Sequence, residues 1–337
     1  MADHTRIEWT DATWNPITGC TLVSDGCRHC YAATLAATRL KNHPSRAGLA
    51  RLNAAGEAKF TGEVRFNDDW IDQPLRWRKS RRIFVCAHGD LFHEAVPDEW
   101  IDRVFAVMAL APHHTFQVLT KRPERAREYL TEREDREIGR AQDRQLTEPH
   151  PVPVLPNVWI GTSAEDQATA DARIPHLLAT PAAVRFISAE PLLGPVDLTE
   201  WLHDPGCMTF GDGCSCRDFG GPHDLGLGWV IVGGESGPNA RPMHPDWARS
   251  LRDQCQDAGI PFFFKQWGEW APAIHDPAPD GHLLRQTEQV AEFDSWVTEA
   301  FDPLRTAGVN WRRLGKKRSG RLLDGRTWDE IPEARHG

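Results

Sequence analysis

The chain has 337 residues, of which 40% are hydrophobic, and a formal net charge of −9. One of its longest apolar runs, Val104–Ala111, is far shorter than the roughly 18 residues of a membrane-spanning helix. The first residues also lack the pattern of a secretory signal, a basic region followed by an apolar stretch. We therefore expect a cytoplasmic protein with no membrane partner, and the net charge argues against a protein that coats nucleic acid by charge alone.

Short apolar runs, each closed by a polar or glycine-rich cluster, recur along the chain and predict buried strands. They are Trp14–Gly19, Ile83–Ala87, Thr115–Leu119, Val158–Gly161, Val184–Ile187, Trp229–Val232 and Pro261–Phe264. Nearly continuous apolar strands are typical of a parallel sheet that is covered on both faces.

Helical patterns lie between these strands, at Asp98–Ala111, Pro123–Asp143, Asp166–Ala179 and Pro245–Ala258. The alternation of strand and helix predicts an α/β fold with right-handed crossovers. A barrel brings all the polar strand ends to one rim, whereas a doubly wound sheet brings together only those at its switch point. Because every predicted strand ends in polar residues, we predict a TIM-type β/α barrel of parallel strands, complete or partial.

Three stretches depart from the alternation. Residues 41–62 and 204–228 are rich in glycine and polar residues and are interpreted as insertions into the barrel. Residues 271–337 contain few apolar runs. We therefore predict a barrel domain over residues 1–270 and a basic appendage or lid over residues 271–337.

Three cysteines lie close together after the first predicted strand. Cys20, Cys27 and Cys30 have the spacing C-x6-C-x2-C, and three thiols in so short a loop can converge on one metal centre. A [4Fe–4S] cluster held by three cysteines keeps one iron open for reaction. Zinc prefers a fourth protein ligand, and His29 lies between two of the cysteines, so a zinc site is an alternative.

The cysteine loop resembles that of the radical S-adenosylmethionine (radical SAM) superfamily. The superfamily usually has the spacing C-x3-C-x2-C with an aromatic residue before the last cysteine, whereas here the first gap is six residues and His29 holds the aromatic position. The chain also resembles, over nearly its whole length, a phage-associated family of unknown function whose members are described as similar to radical SAM enzymes. The resemblance is carried by WNPITGCTLVSDGCRHCYA, residues 81–125, FISAEPLLGPVDL, residues 229–255, PFFFKQWGEW and GKKRSGRLLDGRTWDEIP.

The resemblance implies a cofactor and a reaction class. Cys20, Cys27 and Cys30 would ligate a [4Fe–4S] cluster, and the open iron would take the amine and carboxylate of S-adenosylmethionine. One electron, supplied by a donor of the flavodoxin or ferredoxin type, would then release a 5′-deoxyadenosyl radical that abstracts hydrogen from the substrate. The protein would position these groups and exclude water.

Polar residues at the other strand ends are candidates for binding cofactor or substrate. Gly233 and Gly234 allow a close approach to the backbone, and Glu235 offers a carboxylate to an ammonium group, although a simple glycine turn is an alternative. Ser188 and Glu190 are candidates for ribose or ammonium contacts. Cations and further polar groups that would bind an anion or the substrate are Lys265, Asp90, His93, Lys121 and Arg122.

A second cysteine set lies in the later insertion. Cys207, Cys214 and Cys216, with His223, have the spacing C-x6-C-x-C-x6-H, which offers four ligands to a structural zinc or an auxiliary cluster. The spacing matches no standard zinc finger, so unligated thiols remain an alternative.

Two basic runs contrast with the acidic whole. Residues 76–82 and 311–326 are rich in Lys and Arg. The first run contains Trp77, and the second begins with Trp311 and is followed by Trp328. Cations interleaved with aromatic rings can bind phosphates and stack bases, so Lys316, Lys317 and Arg318 are candidates for DNA or RNA contacts. Solvated surface charge and ordinary core packing are the alternatives.

Together these features favour a radical SAM enzyme whose substrate is a nucleic acid or nucleotide, acting in modification or repair. One alternative is a zinc-stabilised barrel that binds nucleic acid or protein without radical chemistry. Another is a metal-dependent hydrolase built on Asp90, His93 and Glu190, which lacks a compact ligand motif.

Overall fold

The computed structural model describes residues 5–132, 154–202, 226–272, 290–291 and 311–333. Its strands are β1 (Ala12–Trp14), β2 (Ile17–Thr18), β3 (Ala50–Leu52), β4 (Ala58–Phe60), β5 (Arg65–Phe66), β6 (Arg82–Val85), β7 (Thr115–Thr120), β8 (Val158–Ser163), β9 (Val184–Ala189), β10 (Trp229–Gly233), β11 (Phe262–Gln266), β12 (Trp270–Pro272), β13 (Val290–Ala291) and β14 (Trp311–Arg313). Its α-helices are α1 (Tyr31–Ala37), α2 (Asp98–Leu110), α3 (Pro123–Glu132), α4 (Gln167–Leu178), α5 (Pro245–Ala258) and α6 (Lys316–Ser319).

The central sheet has seven strands in the order β1-β6-β7-β8-β9-β10-β11, and every neighbouring pair is parallel. The order follows the chain without reversal, so the sheet has no switch point and a doubly wound arrangement is wrong. The sheet curls into a half-barrel with β1 and β11 at its edges. The mixed α/β class and the parallel strands are therefore confirmed, in the partial rather than the closed form of the barrel.

The two faces of the sheet bury different side chains. The outer face packs against the helices; α5 contacts β10 and β11, and α4 contacts β8. The inner face is filled by aromatic rings that form a separate buried cluster, with Trp229 at its centre and Trp159, Phe186 and Phe263 within 6.2 Å between ring centroids. These rings close the half-barrel below the carboxyl ends of its strands, and the space above them remains open.

The predicted helices agree with the structure where their ends are described. α2 follows Pro97, and α5 begins at Pro245 and ends at Ala258, before Gly259, whose φ of 67° suits glycine. α4 begins after Asp166, whose side chain accepts from the amide of Thr169. The prediction of a helix over Pro123–Asp143 is confirmed to Glu132, and residues 133–153 lie outside the described part of the chain.

The first predicted strand, Trp14–Gly19, is wrong. The sheet strand is β1, which ends at Trp14, and β2 pairs antiparallel with β5 outside the main sheet. Pro16 separates the two strands, because proline has no amide hydrogen to donate to a sheet ladder. The cysteine loop therefore starts after β2, at Gly19, where φ is +98° and a Cβ atom would lie 2.1 Å from the Glu63 carbonyl oxygen.

The insertion predicted at residues 41–62 forms a β3–β4 hairpin that packs on α1. Of residues 204–228, the structure describes only the last three. Cys207, Cys214, Cys216 and His223 lie outside the described residues, so a second metal site stays a prediction.

The described part of the C-terminal region forms a small antiparallel sheet, β12-β14-β13, followed by α6. Residues 311–333 pack against the half-barrel: Leu323 and Trp328 are buried in its core, and Phe263 of β11 bridges to Asp329. Among the helices of the described residues, none has the length and hydrophobicity needed to cross a membrane.

Candidate active site

A cavity of about 480 Å³ lies at the carboxyl ends of the strands. Cys20, Cys27 and Cys30 line it together. It is also lined by most of the residues predicted to bind cofactor or substrate, namely Asp90, Lys121, Arg122, Ser188, Glu190, Gly234, Glu235, Lys265 and Lys316. The strand ends therefore meet as the barrel prediction required.

Four of the predicted residues do not line this cavity. Gly233 lies beneath Glu190, with a Cβ position 3.3 Å from the Glu190 carboxyl carbon. Lys317 and Arg318 are exposed on α6. His93 is buried beside the cavity and contacts Thr21, as described below.

The three thiols are free and close enough to influence each other's ionisation. Burial raises the pKa of Cys20 to about 12, with Asp90 adding to the shift, and burial also raises the pKa of Cys30. Burial acts in the same direction on Cys27, but Lys121 and hydrogen bonds from Val23 and Ser24 outweigh it and lower the pKa of that thiol. Cys27 is thus the most readily ionised of the three in the metal-free chain.

One anchor of the cysteine loop is Glu165, which follows β8 and is 1% exposed. Its carboxylate accepts hydrogen bonds from Ser24 of the loop (2.9 Å), from Arg173 of α4 (2.8 Å) and from Lys121. Gly26 lies directly against it, because a Cβ atom there would be 2.5 Å from the Glu165 side chain. The loop is therefore held on the half-barrel by a buried carboxylate with two cationic partners.

A second anchor is Glu235, which follows β10. Arg241 donates to both of its carboxylate oxygens (2.9 and 2.8 Å), and His29 of the cysteine loop donates from Nδ1 at 3.1 Å. Arg241 also pairs with Asp25 of the loop. These contacts lower the pKa of Glu235 despite its burial, which acts in the opposite direction. Whether Glu235 also binds an ammonium group stays a prediction.

The paired glycines before Glu235 have a packing reason. A Cβ atom on Gly234 would lie 1.9 Å from the carbonyl oxygen of Trp267, so only glycine lets the two backbones approach. This contact fixes the loop after β10 against the loop after β11. Backbone packing therefore requires glycine at residue 234, Glu235 is buried rather than solvent-facing, and binding of a ligand at this turn stays a prediction.

Asp90 and Arg122 form a buried ion pair at 3.1 Å, and Arg122 also pairs with Glu94. The Arg122 guanidinium reaches the Cys20 sulfur at 3.6 Å and donates to Thr21. His93 accepts from the Ala95 amide through Nδ1, so its Nε2 donates to Thr21 at 3.1 Å. Burial lowers the pKa of His93. Asp90, Arg122 and His93 therefore support the Cys20 end of the loop.

Lys265 and Glu190 form an ion pair of 2.5 Å within the cavity wall, across the ends of β11 and β9. Ser188 lies on β9 two residues before Glu190 and is buried. The predicted anion-binding lysine thus has a carboxylate partner, and the pair presents both signs of charge to the cavity.

The cavity has an apolar floor and an apolar mouth. The floor is formed by Ile7, Trp9, Phe84 and Leu119. The mouth of the cavity is lined by three exposed side chains, Leu22, Val23 and Tyr31, and Tyr31 is 52% exposed. The Tyr31 hydroxyl donates to the Ala87 carbonyl oxygen, which fixes the position of its ring.

The tryptophans of the basic runs are not free to stack bases. Trp77, Trp311 and Trp328 are all buried, and Trp311 is fully inaccessible. Arg81 lies over the Trp77 ring and Arg326 over the Trp328 ring. Core packing, the alternative named above, is correct for these three side chains.

The site is also shaped by residues whose roles the sequence did not predict, namely Glu165, Arg173, Arg241 and Tyr31. Glu165 was visible as a carboxylate after a predicted strand, and Tyr31 as the aromatic neighbour of Cys30. The two arginines gave no local signal, because Arg241 meets Asp25 of the loop only in the folded structure, and Arg173 acts on the loop only through Glu165.

The chemistry of the donors suits an iron–sulfur cluster, since three free thiols share one cavity. Across the described ranges, no three His, Cys, Asp or Glu side chains form a group that could hold a metal ion. In a cluster each thiolate binds a different iron, so the thiols need a common cavity rather than a single coordination sphere.

Comparison with known proteins gives a family. The family model described as "Protein of unknown function (DUF5131)" matches residues 4–332. The chain belongs to this family. No curated protein and no solved structure matches the chain. The resemblance to a family of unknown function is therefore confirmed, and its phage association and radical SAM nature stay predictions.

Proposed function

We propose that the protein is a radical SAM enzyme whose substrate is a nucleic acid or a nucleotide. The observation that carries the proposal is the shared cavity of Cys20, Cys27 and Cys30 at the carboxyl ends of a curled parallel sheet. When bound by these thiolates, a [4Fe–4S] cluster supplies the electron that cleaves S-adenosylmethionine to a 5′-deoxyadenosyl radical and methionine.

The residues around the cysteine loop position its thiols. Glu165 and Glu235 hold the loop at Ser24, Gly26 and His29, so the three sulfurs keep their places relative to the strand ends. Arg122 lies beside Cys20, and Lys121 lowers the pKa of Cys27. These cations offset the negative charge that three thiolates bring into a buried site.

The Lys265–Glu190 pair supports binding of a zwitterion. The amino-acid part of S-adenosylmethionine carries one ammonium and one carboxylate, and this ion pair presents the complementary charges to the cavity. Lys265 would take the carboxylate and Glu190 the ammonium, with Ser188 beside them for a hydroxyl contact. Without ligand, Lys265 and Glu190 neutralise each other's charge, and binding of the zwitterion would replace their ion pair with one ion pair to each side chain.

The apolar floor supports two further requirements of the proposal. A planar heterocycle packs well on the Trp9 and Phe84 rings, and their buried cluster keeps water away from the reacting atoms. The substrate class is supported by the cation Lys316 at the cavity and by Lys317 and Arg318 beside it on α6.

The proposal is tested by S-adenosylmethionine cleavage. Protein purified without oxygen, reconstituted with iron and sulfide and reduced with dithionite should form 5′-deoxyadenosine, and the Cys20→Ala variant should form none. Cys255→Ala is the matched control, since Cys255 is a buried thiol of α5 that does not line the cavity. Equal product from the wild type and Cys20→Ala would refute the proposal.

One observation favours the zinc alternative. His29 donates through Nδ1 to Glu235, and a carboxylate in this position is common behind zinc-bound histidines. A zinc site of Cys20, Cys27, Cys30 and His29 predicts that His29→Ala abolishes metal binding. The cluster predicts that iron is retained in this variant, so metal content of His29→Ala protein separates the two.

A further inference from the structure

Two lysines reach the cavity from elements outside the half-barrel. Lys59 lies on β4 of the hairpin that packs on α1, and Lys316 lies on α6, where it pairs with Glu8 at 3.5 Å. Their side chains are 33% and 43% exposed, so both are at the border between cavity and solvent. Lys316 is one of the predicted nucleic-acid contacts, whereas Lys59 is not.

The hairpin places a second cation beside Lys59. Arg51 of β3 is directly opposite Lys59 of β4, so the two side chains project from the same face. Arg28 of the cysteine loop is adjacent, since its carbonyl oxygen accepts a hydrogen bond from the Lys59 ammonium at 2.8 Å. We call the side chains of Arg28, Arg51 and Lys59 the hairpin surface.

The charges of the hairpin surface are poorly compensated. Like charges directly opposite in an antiparallel pair are destabilising, and Arg51 and Lys59 are such a pair. Glu57 pairs with Lys59 at 3.5 Å and also attracts Arg28, whereas within the described part of the chain Arg51 has no carboxylate within 4.0 Å. An anion bound between these cations would offset the repulsion.

We propose that the hairpin surface binds the phosphate backbone of a single-stranded nucleic acid, one nucleotide of which enters the cavity. This inference rests on the proposed function and adds a substrate form and a binding surface to it. The strand would pass between the hairpin surface and Lys316, because Lys59 of that surface and Lys316 both line the same cavity.

Two features favour a single strand over an acidic protein. Lys59 and Lys316 line the cavity itself, so they contact whatever enters it, whereas a protein partner would contact only the outer rim. The exposed Tyr31 ring at the cavity offers a face on which a base can stack. A base within a duplex cannot enter a cavity without leaving its stack, which favours single-stranded substrate.

The test is oligonucleotide binding by the full-length protein purified without oxygen. Fluorescence anisotropy is measured with labelled single-stranded DNA and RNA and with a duplex, over a range of salt concentrations. The test variant is Arg51→Glu/Lys59→Glu. The matched control is Arg103→Glu/Arg127→Glu, which changes the charge equally on α2 and α3, outside both basic runs and at residues that do not line the cavity.

We expect single strands to bind more tightly than the duplex, and Arg51→Glu/Lys59→Glu to weaken single-strand binding at least tenfold. The slope of log affinity against log salt should fall in this variant by roughly one to two, given about 0.7 per phosphate contact on a single strand. The control should remain within threefold of the wild type. The neutral Arg51→Gln/Lys59→Gln variant should show a smaller loss, which separates charge from misfolding.

Unchanged single-strand binding in Arg51→Glu/Lys59→Glu would overturn the inference, as would equal losses in the test and control variants. The inference would also be overturned if Arg51→Glu/Lys59→Glu lost binding to an acidic flavodoxin-type protein but kept oligonucleotide binding. The hairpin surface would then be assigned to a redox partner. The readout does not depend on cluster content. If the protein binds no iron after reconstitution, the proposed function is refuted. If Arg51→Glu/Lys59→Glu still weakens oligonucleotide binding in that protein, the inference about the hairpin surface stands.

Discussion

Gly26 shows how closely the cysteine loop fits the half-barrel. The glycine lies against the carboxylate of Glu165, and that carboxylate is fixed by Arg173, Lys121 and Ser24. A side chain at this position cannot be accommodated by a simple rotation of Glu165, because the rotation would break contacts with two buried cations.

Gly26→Ala is therefore expected to destabilise the protein by about 1–3 kcal/mol, the usual cost of overpacking, and to lower its iron content after reconstitution. Urea denaturation and iron analysis measure the two effects. Gly194→Ala is the control, since its Cβ atom would meet only the Asp166 side chain and backbone, at 3.3 and 3.9 Å. Wild-type stability and iron content in Gly26→Ala would show that the Glu165 contact does not position the loop.

Some residues of the site have a local signal in the sequence, and others do not. The cysteines and the cavity-lining Lys265, Glu190 and Lys121 follow apolar runs or have a local spacing, and parallel strands bring such ends together. The anchors have no local pattern: Ser24 and Glu165 are 141 residues apart, and Asp25 and Arg241 are 216 apart. Only the folded structure brings these partners together.

Residues 311–333 are held in place by contacts with α5 and with Trp267, which follows β11. Asp324 accepts hydrogen bonds from Arg249 and Arg252 of α5, and Trp267 donates from its indole to the Leu322 carbonyl oxygen. The hydrogen bonds from Arg249 and then Arg252 lower the pKa of Asp324 from 3.8 to about 2, against the effect of burial.

This shift predicts a pH-dependent contribution to stability. A carboxyl group whose pKa is lower in the folded state stabilises the protein above its unfolded pKa, and the contribution disappears as the pH falls through the folded pKa. Asp324→Asn should therefore destabilise the protein near neutral pH, by at most about 1 kcal/mol because the pair is partly exposed. The difference from the wild type should shrink as the pH falls from about 4 to about 2.

Asparagine is a suitable replacement because it tolerates the positive φ of 53° at residue 324. Asp69→Asn is the control, as Asp69 is exposed and has no ion pair within the described ranges. Urea midpoints across this pH range give the comparison. A difference that stays constant with pH would mean that Asp324 does not titrate as the structure implies.

The elements themselves were largely predictable from sequence. Six of the seven sheet strands coincide with apolar runs, because a strand buried on both faces needs apolar side chains throughout. The first strand was misplaced because Ile17 and Thr18 continue an apolar pattern beyond Pro16, and the sequence does not show that they pair with β5 instead.

The open half-barrel is closed by segments from both ends of the described chain. The Trp9 ring packs on Phe84 and Trp229 of the sheet, and Lys316 of the C-terminal region pairs with Glu8 beside it. The indole of Trp229 donates to the Glu330 carbonyl oxygen. The N-terminal and C-terminal segments thus complete the wall that the sheet does not supply.

The sequence could not predict that the barrel is partial and that the terminal segments close it. A repeated strand–helix pattern is the same for a complete and a partial barrel, and only the strand pairing distinguishes them. The aromatic residues that fill the interior were visible in the sequence, but their assignment to nucleic-acid stacking or to core packing needed the burial of each ring.

Metal analysis shows whether Cys20, Cys27 and Cys30 together bind one iron–sulfur cluster, as proposed. Iron, acid-labile sulfide and zinc are measured in protein purified without oxygen, for the wild type and for Cys20→Ala/Cys27→Ala/Cys30→Ala. We expect about four irons and four sulfides per wild-type chain and neither in the triple variant. Wild-type protein that contains zinc alone, or iron that the triple variant retains, would rule out a cluster held by these cysteines.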